Sequence, residues 1–417
     1  MKNKTFCDWW IVAVCMLIMG TIFSLRVYCL SLFQVPVTQD LGITRSQFSG
    51  ISVIASIVGM VLSPFAGKLL ERHSIRYFMA LAAAACALSF ASLSLAGSAL
   101  HLYISSVIMG VSYIFLTSLP ITILMNRWFE EKRSTMISLT FVGASFGTVL
   151  LSPAITRLIG MYGWRSTFQI LGLFFCVLLV PLILFVVRDY PEEKRETDLG
   201  SGEAGGGGKQ AHGEGVPLAM LIKTSEFWLF TSGISVAVLT LGCLHHMPAF
   251  VMDIGFSAEI AALSVSVYSF VAIFGKLASG VVFDRFGLNA GVLLGMVNML
   301  LTFLFLYMAR SIPMLVMAAA CYGFGGTCGT ILPPVMTSKL FGNRYYGENY
   351  GLIYAFVTLC LGVNNLLFAI GYDLTGSYTV SWVGGAVLSV FAAVLLILAA
   401  RKCRFRIPET EYTSKPR

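Results

Sequence analysis

The stretch Gly67-Lys68-Leu69-Leu70-Glu71-Arg72-His73-Ser74-Ile75-Arg76 has a shortened echo in the second half of the chain, Gly280-Val281-Val282-Phe283-Asp284-Arg285-Phe286-Gly287. In both, a glycine is followed four residues on by an acid and then an arginine, at the end of a long apolar run. A second pattern keeps the same offset: Thr117-x-Leu119-Pro120 returns as Thr330-x-Leu332-Pro333. Two unrelated patterns sharing one offset indicate a tandem duplication.

What is duplicated follows from the runs around these motifs. Of 417 residues, 57% are apolar and only 12% charged, and the mean hydropathy is +0.83. A soluble domain carries about a quarter charged residues, so the solvent for most of this chain is lipid. A span needs about 20 apolar residues. Twelve candidates occur, at 9–36, 48–67, 77–97, 102–126, 134–156, 167–187, 226–251, 258–282, 289–309, 313–337, 347–371 and 380–400. The only long polar stretch, Arg188 to Lys223 with Gly205–Gly208 inside it, separates the first six from the last six and has the composition of a flexible linker. The expected fold class is an all-α membrane protein of 12 transmembrane helices in two six-helix pseudo-repeat bundles. The bundles occupy 1–190 and 225–417, the linker 191–224, and six spans per half give the repeats parallel orientation.

Of the 28 Lys and Arg, 22 fall on the side that holds both termini and 4 on the other. The positive-inside rule makes that side cytoplasmic, and the plasma membrane is the expected location. The first run is too long for a cleaved signal and reads as a retained span. The net charge of +8 sits mostly in short loops, so the bilayer, not nucleic acid, is the expected partner. Ten cysteines, mostly within apolar runs and without a CxxC pair, read as apolar filling rather than a disulfide or metal framework. No P-loop, HExxH or Ser/His/Asp set occurs, and Gly323-Phe324-Gly325-Gly326 lies within a span, where it reads as helix packing. ATP-driven pumping and hydrolysis are disfavoured, and no enzyme, cofactor or metal is expected. A monomer is.

Charge inside hydrocarbon costs about 2.5–3.5 kcal/mol on insertion scales and marks function by default. Lys276 lies eight residues before Asp284, about 12 Å deep at 1.5 Å per residue. Arg26 lies about 24 Å along the first span, in its outer half. Each of the 20 Asp and Glu falls in a loop or near a span end, Asp253 coming closest to the interior. Two buried cations without a buried acid call for a mobile anion or water to complete them. His245 and His246, in the seventh span, are candidates for proton coupling. Tyr113 and Thr117 share a face one turn apart; Tyr322 lies in the tenth span, Asn364 and Asn365 in the eleventh.

The paired loop motif resembles that of the major facilitator superfamily, G-x-x-x-D-R-x-G-R-K, with Glu71 for Asp and Ser74 for the second Gly in the first copy. The resemblance implies that Gly67 and Gly280 let helices approach closely, while Glu71, Arg72, Asp284 and Arg285 pair across the halves as a cytoplasmic gate or latch. Further marks resemble the branch of monocarboxylate transporters and oxalate/formate antiporters. These are Asp8-Trp9-Trp10, Asn126-Arg127-Trp128-Phe129-x-x-Lys132-Arg133, Pro153 with Gly163-Trp164-Arg165, His246-Met247-Pro248, and Asp373-Leu374-Thr375-Gly376-Ser377-Tyr378.

By this resemblance Lys276 stands where relatives usually place an arginine for the substrate carboxylate, and Arg26 is a second positive group. Spans one, four, seven and ten line the cavity, so Tyr113 and Tyr322 are expected to close over a small acid, with Asn364 as extra polar lining. The implied function is secondary transport of small organic anions, monocarboxylates of the lactate and pyruvate type, by rocking of the halves. Ala272 replaces the acid that many proton-linked relatives carry one turn before the basic residue. This leaves proton symport through a histidine, preferably His246, and anion exchange both open. The alternatives are a dicarboxylate antiporter, a drug or amphiphile exporter, and a non-transporting membrane sensor. The oxalate antiporters carry a further basic residue in span eleven, absent here. Exporters usually carry a membrane acid in the first half, and a sensor a folded soluble domain; both are missing.

Overall fold

The computed structural model describes residues 4–129, 132–190 and 215–402. They are helical almost throughout. In chain order the helices are α1 (Lys4–Ile18), α2 (Gln34–Leu41), α3 (Arg45–Arg72), α4 (Ile75–Ser94), α5 (Ala99–Leu116), α6 (Ser118–Trp128), α7 (Arg133–Phe174) and α8 (Val180–Val186). The second half holds α9 (Leu218–Leu221), α10 (Ser225–Leu239), α11 (Cys243–Asp253), α12 (Ala258–Arg285), α13 (Gly287–Tyr307), α14 (Ile312–Gly325), α15 (Leu332–Phe341), α16 (Tyr346–Thr375) and α17 (Thr379–Lys402). Of the linker expected over 191–224, residues 191–214 lie outside the described residues. The remainder holds the single turn α9, and Gly215 pairs with Gly342.

Ten helical stretches among the described residues are long and apolar enough to cross a membrane. Half of the difference from twelve has a local cause. Arg133–Val186 runs as one 54-residue stretch that covers two of the expected spans, and its turning point is Gly163, whose φ of 76° suits glycine. The eleventh expected span falls within the 30-residue α16. Side chains such as Phe185, Leu173, Phe65 and Leu81 stand exposed around the helices. In water such a surface would aggregate; against lipid it is solvated.

The chain forms two compact units. The first has its described residues within Met1–Glu130, Thr140–His212 and Tyr350–Ala355; the second within Glu131–Leu139, Gly213–Asn349 and Phe356–Arg417. Their internal packing repeats. In the first, α5 packs on α3 and α4, while α8 packs on α4 and α1; in the second, α14 packs on α12 and α13, while α17 packs on α13 and α10. Glycines permit the closest approaches, and one of these also obeys the repeat. A Cβ on Gly110 would come 2.8 Å from the Ala55 carbonyl oxygen, and one on Gly323, its counterpart at the repeat offset, 2.8 Å from Val271 Cβ.

Corresponding helices are also broken. The first span passes through two π turns, Met19–Phe23 and Leu25–Cys29, and a 3-10 turn, Leu30–Phe33, before α2. Its counterpart in the second unit breaks at the 3-10 turn Thr240–Gly242, between α10 and α11. The fourth span breaks at Thr117, and the tenth at the 3-10 turn Gly326–Gly329. The Thr-x-Leu-Pro repeat accounts for this second pair. Pro120 and Pro333 lack an amide hydrogen and crowd the carbonyl four residues back, so a continuous α-helix is disfavoured there in both halves.

Candidate functional site

In the first unit the candidate site is built on the broken first span. Arg26 lies in the π turn Leu25–Cys29, half-buried. Its guanidinium carbon stands 4.0 Å over the ring centre of Tyr113, a cation–π distance. Its Nη2 donates to Ser56 Oγ at 3.2 Å. Phe23 stacks on Tyr113 at 5.9 Å between centroids, so the buried phenol ring is held by an aromatic neighbour as well as by the guanidinium. The Thr117 hydroxyl donates back to the Tyr113 carbonyl at 2.7 Å. Its proton is spent within its own helix.

What places Arg26 is the seat of the first span on α7. Ser24 Oγ donates to the Ala144 carbonyl at 2.6 Å. The approach is permitted by Gly20, Gly143 and Gly147: a Cβ on Gly147 would overlap the Gly20 carbonyl, and one on Gly143 the Met16 carbonyl. The two helices touch backbone to backbone.

In the second unit Lys276 is buried in α12 at 4% exposure. One turn on, Ser279 Oγ donates to Thr327 Oγ1 at 3.1 Å, joining α12 to the break of the tenth span. The Tyr322 hydroxyl donates to the Leu241 carbonyl at 3.0 Å, and its ring meets Tyr268 edge to face at 4.9 Å. Asn364 is buried, and its Oδ1 has no hydrogen-bond partner among the described residues. Its backbone carbonyl abuts Gly242, where a Cβ would overlap it. The side chain of Asn365 lies outside the described residues. His245 is exposed, whereas His246 has its Nδ1 3.2 Å from the Tyr378 hydroxyl and its ring stacked 6.2 Å from Phe368.

The loop-motif residues sit at helix ends. Gly67 and Gly280 are buried, and Arg72 and Arg285 are exposed. Within the second unit Asp284 Oδ2 accepts from Thr135, from its amide at 2.9 Å and its hydroxyl at 2.7 Å. Two cations that the sequence reading did not single out for a role close these ends. Arg127 Nη2 donates to the Leu70 carbonyl at 3.0 Å and the Glu71 carbonyl at 3.3 Å. Lys339 Nζ donates to the Phe283 carbonyl. Leu70 and Phe283 are separated by the repeat offset, and Lys339 stands one position short of the place where that offset carries Arg127. In each unit, therefore, a base near the end of α6 or α15 caps carbonyls at the end of α3 or α12. That near-coincidence of spacing was the signal available beforehand.

Two broken spans per unit, a cation at or beside them and a lipid-facing exterior define a membrane transporter of the repeat-built kind. The sequence model of the Major Facilitator Superfamily matches residues 12–364 and 257–416, and the chain belongs to that superfamily. Monocarboxylate transporter 12 of Mus musculus is 24% identical over 444 residues, covering 98% of this chain and 89% of the relative. The oxalate:formate antiporter of Oxalobacter formigenes is 23% identical over 366 residues, covering 83% and 81%. These relatives fall in the branch that the loop motifs resemble. Among solved structures, the proton:xylose symporter XylE superposes with a TM-score of 0.68 at 16% identity, covering 95% of both chains. The human organic anion transporter MFSD10 (TETRAN) gives 0.69 at 17%, covering 93% of this chain and 99% of that one. At such identities the two structures speak for the fold. The chain is thus a multi-pass membrane transporter and not an enzyme.

Proposed function

We propose that the chain carries small organic anions, monocarboxylates of the lactate and pyruvate type, by alternating access. Arg26 in one unit and Lys276 in the other are the groups we assign to the carboxylate. Tyr113 and Asn364 supply further lining. The observation that carries this reading is the environment of Arg26: a guanidinium in a membrane span whose partners, the Tyr113 ring and the Ser56 hydroxyl, are both neutral. A half-buried cation so placed in a span gains most from an anion that comes and goes. The names of the curated relatives support a carboxylate as that anion.

The coupling partner is a proton or a second anion, and one experiment separates them. Purified protein in proteoliposomes takes up labelled lactate; an inward proton gradient accelerates uptake under symport, and internal unlabelled anion does so under exchange. Lys276→Ala and Arg26→Ala each lower uptake at least tenfold. Lactate and pyruvate uptake no greater than in empty vesicles sinks the reading, and transport of labelled oxalate or of a lipophilic dye instead points to the dicarboxylate or amphiphile alternative. We place the protein in the plasma membrane as a monomer, and from the 22-to-4 distribution of Lys and Arg we place both termini on the cytoplasmic side. A cysteine introduced into the linker would then be labelled only from the cytoplasm.

A further inference from the structure

We propose that Tyr322 is a positioning residue: it pins together the two helix breaks of the second unit, so the rate of transport, not the affinity for the acid, depends on its hydroxyl. The seventh span changes register at Thr240–Gly242 and the tenth at Gly326–Gly329. Where an α-helix passes through a 3-10 turn, carbonyls lose their regular alignment with the amide four residues on and become open to other donors. The Leu241 carbonyl takes such a donor, the Tyr322 hydroxyl at 3.0 Å. The side chain of the same residue locks the second break, because Leu241 Cδ1 occupies the space a Cβ on Gly329 would need. The two breaks therefore touch through both backbone and side chain.

Tyr322 is in turn held firmly. It is buried at 3% exposure, its ring meets Tyr268 of α12, and a Cβ on Gly326 would lie 3.4 Å from it. In addition, α12 is tied to the tenth-span break by Ser279 and Thr327 at 3.1 Å. A path of direct contacts thus runs from the turn that carries Lys276, through the break at Gly326–Gly329, to Leu241, four residues before His245. A phenol has one proton to donate. Given to Leu241, it is not offered to a carboxylate, which is why the geometry points to a strut and away from the ligand contact expected of this tyrosine. The device is confined to one unit: at the repeat offset the first half carries Met109, which has no hydroxyl.

The transport half of this proposal rests on the function proposed above, so its test has an arm that does not. Tyr322→Phe keeps the ring and removes only the hydroxyl. In the purified full chain, hydrogen exchange of the amides of residues 242–246 is expected to accelerate at least tenfold, with the helices away from the two breaks unchanged. In proteoliposomes with labelled lactate, the maximal rate falls at least fivefold while KM stays within twofold. Gly329→Ala, pressing on Leu241 from the other side, reproduces the low rate with unchanged KM. The proposal is overturned by unchanged exchange at 242–246, by an unchanged maximal rate, or by a KM raised tenfold with the rate preserved, which would place Tyr322 on the acid. If the parent protein carries no lactate, the proposed function fails, and the exchange measurement still decides the strut.

Discussion

Replacing Gly147 by alanine tests the seating of the first span, on which the position of Arg26 depends. The added Cβ would overlap the Gly20 carbonyl oxygen, a backbone atom that cannot swing aside as a side-chain end could. Carbon contacts are optimal at about 3.5–4.0 Å, so α7 and the first span must part by roughly 1 Å or more. Overpacking of this kind costs about 1–3 kcal/mol. For a unit of this size that lowers Tm by about 2–12 °C, at roughly 2–4 °C per kcal/mol. The series has an internal scale. Gly143→Ala overlaps the Met16 carbonyl and should match it. Gly20→Ala meets Gly143 at 2.9 Å and should cost less, and Gly160→Ala in the same helix meets nothing within 4 Å. The assay is thermal unfolding of purified protein followed by intrinsic fluorescence, paired with lactate uptake. Because Arg26 lies six residues beyond Gly20, Gly147→Ala should also reduce uptake about tenfold. Equal Tm values for Gly147→Ala and Gly160→Ala would refute the backbone contact and the reasoning built on it.

The helix-end caps make a second prediction. Arg127→Ala leaves the Leu70 and Glu71 carbonyls without their charged donor, which at about 1.5–3 kcal/mol for such bonds should lower Tm by about 3–12 °C. Lys339→Ala should do likewise, and the double variant should sum the two, since the sites share no partner; a sum far from additive speaks against independent caps. The Arg165–Asp40 ion pair, at 44% and 46% side-chain exposure, should contribute under about 1 kcal/mol, even though Arg165 also donates to the Ala96 carbonyl at 3.0 Å. A Tm loss above about 5 °C in Asp40→Asn would show that estimate to be too small. The histidines should separate. If a histidine carries the proton, His246 is the expected one, and His246→Gln should flatten the pH profile of uptake as well as lower Tm by losing Tyr378 and Phe368. The opposite assignment would appear as a flattened profile in His245→Gln alone.

How far the sequence could be read depended on whether a feature was written locally. Apolar runs and the constant offset between the two halves lie on the surface of the text, and they carried the helical fold and the duplicated packing. The Thr-x-Leu-Pro repeat was legible as a repeat, but its consequence was not: it takes the missing proline amide to turn Thr117 and Gly326–Gly329 into breaks. Arg127 and Lys339 were hidden differently. Each reads as one more base in a positive loop, and only the carbonyls of Leu70 and Phe283, brought close by the fold, give them a use.

The break in the first span was the least legible. Met19 to Cys29 contains no proline, and a lone Gly20 does not mark a π turn. The partners of that segment lie on another helix, at Ala144, Gly143 and Gly147. Ser24 reaches Ala144 across 120 residues of chain, and the glycines that admit the approach are ordinary small residues in their own helix. The register of the first span is therefore matched to a surface that a local reading never meets. Arg26, the one site residue whose setting depends on that register, could be placed by depth from the sequence but not in its direction. The same holds for Tyr322, whose bond to Leu241 exists only because two breaks, one in each of two distant spans, fall side by side.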